Sequence, residues 1–456
     1  MAEAVSEGED QKRERGVSAA GAVLPGGVVV EMVYDPDAGT TGFVRYEGGA
    51  WTEEPSIETA AGRLVPMSPK NNLLVHEVVL FPSAPEEYGT DGELLRQVRE
   101  FIHRYVDLTP AFEELAASYV LFTWLYDAFE ELPYLRVRGD YGSGKSRFLL
   151  AVGSLCYKPI FASGTSTVSP IFRILDAFRG TLIVDEADFR LSDEKAEIVK
   201  ILNNGNAKGF PVLRAEAGSH REFDPRAYAV FGPKLVATRG FFEDKALESR
   251  CLTEEMGGRP LREDIPLNLP AELREEALAL RNKLLLFRCR NLTRPRDLTG
   301  AADRQLEPRL AQILSPLMAT IEDEDARARL RDLARGLERQ LVTDRGMETE
   351  GQLLEVIRDL AAAETPLSVK EITALFADRH ESDYDRKVSP KWVGYLLRRK
   401  LGLLPQRVGG AFVLPPAESA KLARLYEKYG LVEAKDGEAL GAGHQDFEDL
   451  KSPAEK

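Results

Sequence analysis

Gly139-Asp140-Tyr141-Gly142-Ser143-Gly144-Lys145-Ser146 spells a complete G-x-x-x-x-G-K-S loop, with strand-like Tyr134–Arg138 before it and helix-like Arg147–Cys156 after it. Polyphosphate demands many donors at short range. The glycines let backbone N–H groups converge on phosphate oxygens, and Lys145 brings a point charge to the β/γ oxygens. The Ser146 hydroxyl is placed to ligate Mg²⁺, and the new helix adds its positive N-terminal end. The expected ligands are ATP and Mg²⁺.

Thr181-Leu182-Ile183-Val184-Asp185-Glu186 then reads as an apolar strand ending in two carboxylates. Asp185 would hold the magnesium shell and Glu186 would polarise the attacking water. A buried strand ending in solvated acids has the same letters; the P-loop upstream is what favours the catalytic reading. Asp185–Asp188 also spells D-E-A-D. DEAD-box helicases have two RecA-like domains, a different loop and a longer spacing to that motif, so the four letters are coincidence.

Lys234-Leu235-Val236-Ala237-Thr238 is a strand ending in a hydroxyl. Thr238 suits a group that orients water or senses the γ-phosphate, and it equally suits a plain strand end. Asp244–Arg250 places Arg250 where it could face a neighbouring subunit's nucleotide, as arginine fingers do; a surface ion pair is the alternative. Between the acids and this strand, Phe210–Arg214 and Ala215–Phe223 read as a hairpin. Its tip, Gly218-Ser219-His220-Arg221, offers Ser219, His220 and Arg221 to a phosphate backbone without reading bases. A solvated turn would look alike.

The elements that must carry these groups follow from the pattern. Of 456 residues, 43% are hydrophobic and 29% charged, which is ordinary for two or three globular domains. The net charge of −14 confines any nucleic-acid contact to local basic patches or a channel formed on assembly. Cys156, Cys251 and Cys289 show no C-x-x-C pairing, against a zinc site or a disulfide scaffold. No apolar run reaches membrane-helix length, and Met1–Gly21 lacks a signal-peptide core, so a cytoplasmic chain with no membrane partner is expected. Val28–Tyr34, Gly42–Tyr46 and His76–Phe81 read as strands, and Asp91–Val106 and Ala111–Leu132 as helices. Beyond the P-loop, strands and helices alternate: Pro159–Ala162, a helix capped by Ser169 before Pro170, Thr181–Asp185, then a helix capped by Ser192. Pro270–Arg288 and Leu306–Arg335 read as long helices.

From about Ser118 to Arg290 the order of motifs resembles the AAA+ helicase domain of phage, plasmid and mobile-element replication proteins. These are the MCM-like and superfamily III-like helicases, often fused to primases. The residues that carry it are Pro133–Ser146, Asp185-Glu186, Ile201-Leu202-Asn203-Asn204-Gly205 before Val212-Leu213-Arg214, Phe231-Gly232-Pro233-Lys234 leading to Thr238, and Ala246-Leu247-Glu248-Ser249-Arg250. The resemblance implies an α/β AAA+ fold with an inserted presensor hairpin lining a channel. It further implies a hexameric ring with ATP between subunits, a sensor role for Thr238 where many relatives have asparagine, and a trans finger at Arg250. The N-terminal region shows no primase acids or zinc-binding cysteines, so a primase or polymerase would be a separate partner.

Met347–Glu364, a helix opened by the Ser368-Val369-Lys370-Glu371 capping box, a helix opened by Ser389-Pro390, then Gly402–Leu404 and Ala411–Leu414 as strands about a loop give the order of a winged helix. Val393, Leu396 and Leu397 should face its core, leaving Lys391, Arg398, Arg399, Lys400 and Arg407 outward for DNA; protein docking is the competing use. The expected boundaries are an unstructured 1–22, strand-rich 23–85, helical 86–132, ATPase core and lid 118–290, helical linker 291–345, winged helix 346–432 and acidic tail 433–456. The expected activity is ATP-driven translocation on single-stranded or forked DNA. Alternatives are an ATP-switched initiator or loader, and a signalling ATPase whose winged helix binds protein.

Overall fold

Short β-branched runs separated by Gly and Asp open the described chain as seven strands: β1 (Val17–Ala19), β2 (Gly21–Leu24), β3 (Val28–Asp35), β4 (Thr40–Glu47), β5 (Ala50–Glu54), β6 (Ile57–Thr59) and β7 (Gly62–Pro66). The computed structural model describes residues 16–163, 167–185, 193–217, 223–242, 244–258, 260–296, 306–347, 349–363, 365–380 and 387–431. β2 to β5 form an antiparallel meander, and β1-β7-β6 a second sheet in which β1 runs parallel to β7. Strands therefore begin at Val17, inside the stretch expected to be unstructured, because β7 and β3 supply backbone partners that Ser/Gly-rich composition does not advertise.

His76–Phe81 is not a strand. Asn71 caps the short helix α1 (Asn72–Val75) by accepting from Leu73 N, and Glu77 takes a left-handed φ of 53°, which breaks the extended run. Only Val79 then bridges Ile160. Helix α2 (Asp91–Tyr105) starts on a full capping box between Thr90 and Glu93. Helix α3 (Pro110–Thr123) is shorter than the expected 111–132. Thr123 Oγ1 donates to Val120 O at 2.6 Å and accepts from Tyr157 N at 3.0 Å, and the indole of Trp124 donates to Leu155 O, so the chain turns there.

Five strands make the central parallel sheet: β8 (Tyr134–Arg138), β9 (Ile160–Ala162), β10 (Leu182–Val184), β13 (Lys234–Thr238) and β14 (Cys251–Glu255), in the order β14-β8-β13-β10-β9. Leu135, Val137, Ile183, Val184, Leu235 and Val236 are buried, as a parallel sheet covered on both faces requires. The crossovers use α4 (Lys145–Leu155), α5 (Val168–Phe178) and α6 (Asp193–Asn204). α5 starts at Val168, one residue before the expected Ser169 cap; Ser192 lies outside the described residues. β11 (Val212–Ala217) and β12 (Phe223–Tyr228) pair as an antiparallel ribbon between α6 and β13. After α7 (Lys245–Glu248) and β14 comes α8 (Glu272–Asn291). The expected single helix over 306–335 is two, α9 (Pro308–Thr320) and α10 (Glu324–Met347), because Asp323 caps a fresh start by accepting from Ala326 N at 2.7 Å.

An ionic cluster joins the first strands to the sheet. Glu31 on β3 bonds Lys158 at 2.8 Å, Arg288 on α8 at 2.7 Å and Tyr157 Oη at 2.8 Å, and Arg288 also holds Asp127 at 2.6 Å. Burial pushes the Glu31 carboxyl up, but Lys158 and Arg288 outweigh it and hold the group below the usual carboxylate range.

The chain divides into two compact units at 336/337. The second contains α11 (Thr349–Ala362), α12 (Val369–His380), α13 (Pro390–Tyr395), the antiparallel pair β15 (Gln406–Val408) and β16 (Ala411–Val413), and α14 (Ser419–Lys428). Ser368 caps α12 by accepting from Glu371 N at 3.1 Å, and Ser389 caps α13. α13 widens into a π turn over Leu396–Lys400. Gly402–Leu404 is not a strand: Leu403 is buried and its N–H returns to Leu397 O at 2.8 Å, so pairing starts only at Gln406.

Candidate functional site

The P-loop is seated on its neighbouring strand. Gly139 N donates to Thr238 O at 3.2 Å, and a Cβ at 139 would collide with the Met256 carbonyl oxygen. Gly144 has φ +94°, a conformation natural to glycine, and no side chain caps α4, so no cap occupies the amides that open its first turn. Amides so placed form an anion cradle. Lys145 folds back over it, donating from Nζ to Gly139 O at 2.8 Å and Asp140 O at 2.7 Å. Asp140 Oδ1 accepts from Tyr141 N at 2.7 Å, which sets the crown of the loop.

β10 lies beside β13, which lies beside β8, so Asp185 emerges next to the loop. Ser146 Oγ donates to Asp185 Oδ2 at 2.7 Å. A hydroxyl and a carboxylate are hard oxygen donors of the kind Mg²⁺ takes alongside phosphate and water, so the residues present fit that ion. Glu186, and Ser219, His220 and Arg221 at the ribbon tip, lie outside the described residues.

Thr238 ends β13 with 1% exposure, and its hydroxyl donates to Gly240 O at 2.9 Å. Arg250 is brought to the other end of the sheet. Its carbonyl accepts from Tyr134 N, and Cys251 pairs with Tyr134, the first residue of β8, whereas the P-loop follows the last. At ~3.3 Å per residue that is about 15 Å from its own chain's loop. The guanidinium donates to Asn203 Oδ1, and Asn203 Nδ2 donates to Asp244 Oδ2 at 2.6 Å. Asp244 caps α7; burial pushes its carboxyl up, but Asn203, the Leu247 and Ala246 amides and Arg250 outweigh that and hold it below the usual range. Among the described residues Arg250 Nε is buried without a hydrogen-bond partner.

Two features escaped sequence reasoning. Arg136, on the middle of β8, is 1% exposed and bonds Glu248 with two nitrogens and Thr253 Oγ1 at 3.0 Å. Glu248 also accepts from Phe242 N at 2.9 Å, so this pair ties the segment between Thr238 and Arg250 to the strand that feeds the P-loop. An arginine flanked by Leu135 and Val137 in the middle of the strand was the available signal. The other is Arg239, whose guanidinium carbon stands 3.9 Å from the centre of the Tyr141 ring.

In the second unit, Val393, Leu396 and Leu397 are buried, and Lys391, Arg398, Arg399, Lys400 and Arg407 are exposed. Beside them Tyr395, Leu404, Val408 and Phe412 are exposed apolar side chains.

No protein-family model and no curated protein matches the chain. Solved structures that resemble it include the C-terminal region of NrS-1, with a TM-score of 0.36, 10% identity, and coverage of 84% of this chain and 95% of that one. The active helicase Cch of SCCmec type IV gives 0.36, 13%, 87% and 94%, and a full-length MCM homologue from Methanopyrus kandleri gives 0.33, 12%, 68% and 76%. Likeness of that degree leaves the activity to be read from the site itself.

Proposed function

We propose that this chain is an ATP-dependent helicase or translocase on DNA, of the AAA+ class, serving replication of a mobile element, phage or plasmid. The observation that carries the ATPase part is the convergence of Lys145, Ser146 and Asp185 at the carboxyl ends of two parallel strands, β8 and β10, that flank β13. Backbone amides and Lys145 bind the phosphates. Ser146 and Asp185 hold the Mg²⁺ that neutralises developing charge, Glu186 orients the attacking water, and Thr238 senses the γ-phosphate.

Arg250 cannot serve its own loop from the far end of the sheet, so its place as a finger is at a neighbour's nucleotide, in a ring, with six subunits the expected number. The ribbon inserted before β13 acts as the presensor hairpin, presenting Ser219, His220 and Arg221 to one strand of single-stranded or forked DNA. Lys391, Arg398, Arg399, Lys400 and Arg407 form a second DNA contact on a winged helix. The chain works in the cytoplasm beside a separate primase or polymerase.

One observation favours a second reading of the C-terminal unit. Val408 and Phe412, on the β15–β16 hairpin, are 61% and 50% exposed, which suits protein docking and a loader or signalling switch better than phosphate contact. ATP turnover with and without single-stranded DNA, beside a Lys145→Ala control, tests the proposal. Stimulation that Lys145→Ala abolishes is expected; turnover indifferent to DNA would favour the protein-binding switch.

A further inference from the structure

A cavity of about 480 Å³ lies at the end of the sheet opposite the P-loop. Lys158, Arg179 and Phe231, which line it, stand just ahead of β9, β10 and β13, at the amino ends of these parallel strands, whereas the P-loop follows the carboxyl end of β8. β2 and Glu31 of β3 close another side, and Arg288 lies deep in the wall with its side chain 3% exposed.

The wall carries more positive than negative charge: Lys158, Arg179, Lys208 and Arg288 against Glu31 and Asp127. Its carboxylates are already filled. Glu31 Oε1 accepts from Arg288 and Tyr157, Oε2 from Tyr157 with Lys158 at 2.8 Å, and both Asp127 oxygens accept from Arg288. The donors are not filled. Lys158 has a side chain only 4% exposed and an ammonium with three protons; among the described residues Glu31 and the face of the Tyr157 ring are its partners. Gly21 leaves the approach to that ammonium clear, because a Cβ there would stand 3.0 Å from Lys158 Nζ and 2.9 Å from Glu31 Oε2. At the rim Arg179 holds Asp176 and Lys208 holds Glu130, acids that lie outside the wall, in pairs that solvent screens. Lys208 also donates to Asp127 O at 3.1 Å. The rings of Tyr126 and Phe231, 5.7 Å apart between centres, supply an apolar side.

We propose that this cavity binds a small organic anion, a carboxylate or phosphate monoester carried on a flat ring. Lys158 takes the anionic oxygens, Arg179 and Lys208 draw the charge in from the rim, and Tyr126 and Phe231 pack on the ring. A wall with spare donors and filled acceptors satisfies acceptor oxygens, while a ligand bringing only donors would leave them unpaired. The volume falls in the range of small-molecule sites. This site goes beyond the nucleotide reading and does not depend on it.

The test is a ligand-observed NMR titration of the full chain with phenyl phosphate, benzoate and the neutral benzyl alcohol. Saturable binding of the anions with Kd of about 1 mM or tighter is expected, and benzyl alcohol should bind at least about tenfold more weakly. Binding of phenyl phosphate alone would assign the site to phosphate, and binding of both would admit carboxylate. Lys145→Ala should bind the anions as the parent does. Arg179→Gln combined with Lys208→Gln, which leaves Glu31, Lys158 and Arg288 in place, should weaken them about tenfold. Ala229→Leu, which adds bulk to the wall, should abolish binding; should that variant fail to fold, the double variant decides. No saturable binding of either anion, equal binding of benzyl alcohol, loss in Lys145→Ala, or unchanged binding in the double variant overturns the inference.

Discussion

Ser146 and Asp185 meet through a single 2.7 Å hydrogen bond, Oγ to Oδ2, although they arrive on α4 and at the end of β10. That contact puts a hydroxyl and a carboxylate where a divalent cation and a β/γ phosphate can share them. It also makes the pair separable from Lys145, which is proposed to act on the phosphates directly.

Ser146→Ala should therefore remove most of the Mg²⁺ dependence of nucleotide affinity while sparing metal-free binding. A loss of roughly tenfold in the presence of Mg²⁺ is expected for one charged hydrogen-bonding ligand. Titrations with and without chelator measure it. Equal weakening in both would assign Ser146 to the phosphates instead.

The Glu31 cluster makes a stability prediction. Glu31→Gln leaves Lys158 and Arg288 buried with an uncompensated charge, a change that costs about 3–5 kcal/mol. Urea unfolding should show an earlier midpoint for the first unit. The carboxyl titrates below its ordinary value of 4.5, so its contribution is present above that pH and is lost as pH falls through the lowered folded value. An unmoved midpoint at pH 7 would mean the cluster is not what anchors β3.

Lys234 gives a slope of the same sign at higher pH. It is fully buried at the start of β13, donating to the carbonyls of Val230 at 3.0 Å and Gly232 at 2.6 Å, and burial pulls its amine down from 10.5 to about 7. The unfolded chain then binds the extra proton between those values, so this residue makes stability rise with pH from about 7 to about 10.5. Lys234→Met should flatten that rise. Thermal melts across the range decide it; an identical slope in the variant would show that the amine stays charged inside.

The exposed cations of the second unit predict a salt effect. Replacing Arg398, Arg399 and Lys400 by Ala should lower the slope of log K for single-stranded DNA against log salt by about 2, at ~0.7 per phosphate contact. ATP turnover without DNA should not move. An unchanged slope would hand this surface to a protein partner, which the exposed Val408 and Phe412 would then suit.

Much of the site was legible because its signals are local. Gly139–Ser146 needs only its own spacing, and the apolar run before Asp185 needs only its strand. The N-caps at Ser368 and Ser389 likewise acted within one turn. Other misreadings were of contacts set from outside the segment. β1 is a strand because β7 lies beside it, and Gly402–Leu404 is not one because Leu403 is drawn back onto Leu397. The Arg239–Tyr141 stack joins two loops nearly a hundred positions apart in the chain, and no spacing within either announces it. Arg250 shows the same limit in reverse. Its motif position is plain, but the Asn203 and Asp244 side chains that hold it depend on how the end of α6 meets the start of α7.

Strand separation on a forked duplex, followed with ATP, ADP and no nucleotide, bears most directly on whether hydrolysis moves DNA. Displacement that needs ATP and vanishes in Lys145→Ala and in Arg250→Ala is the predicted result. DNA-stimulated hydrolysis with the duplex left intact would contradict a translocating motor and leave an ATP-switched loader in its place.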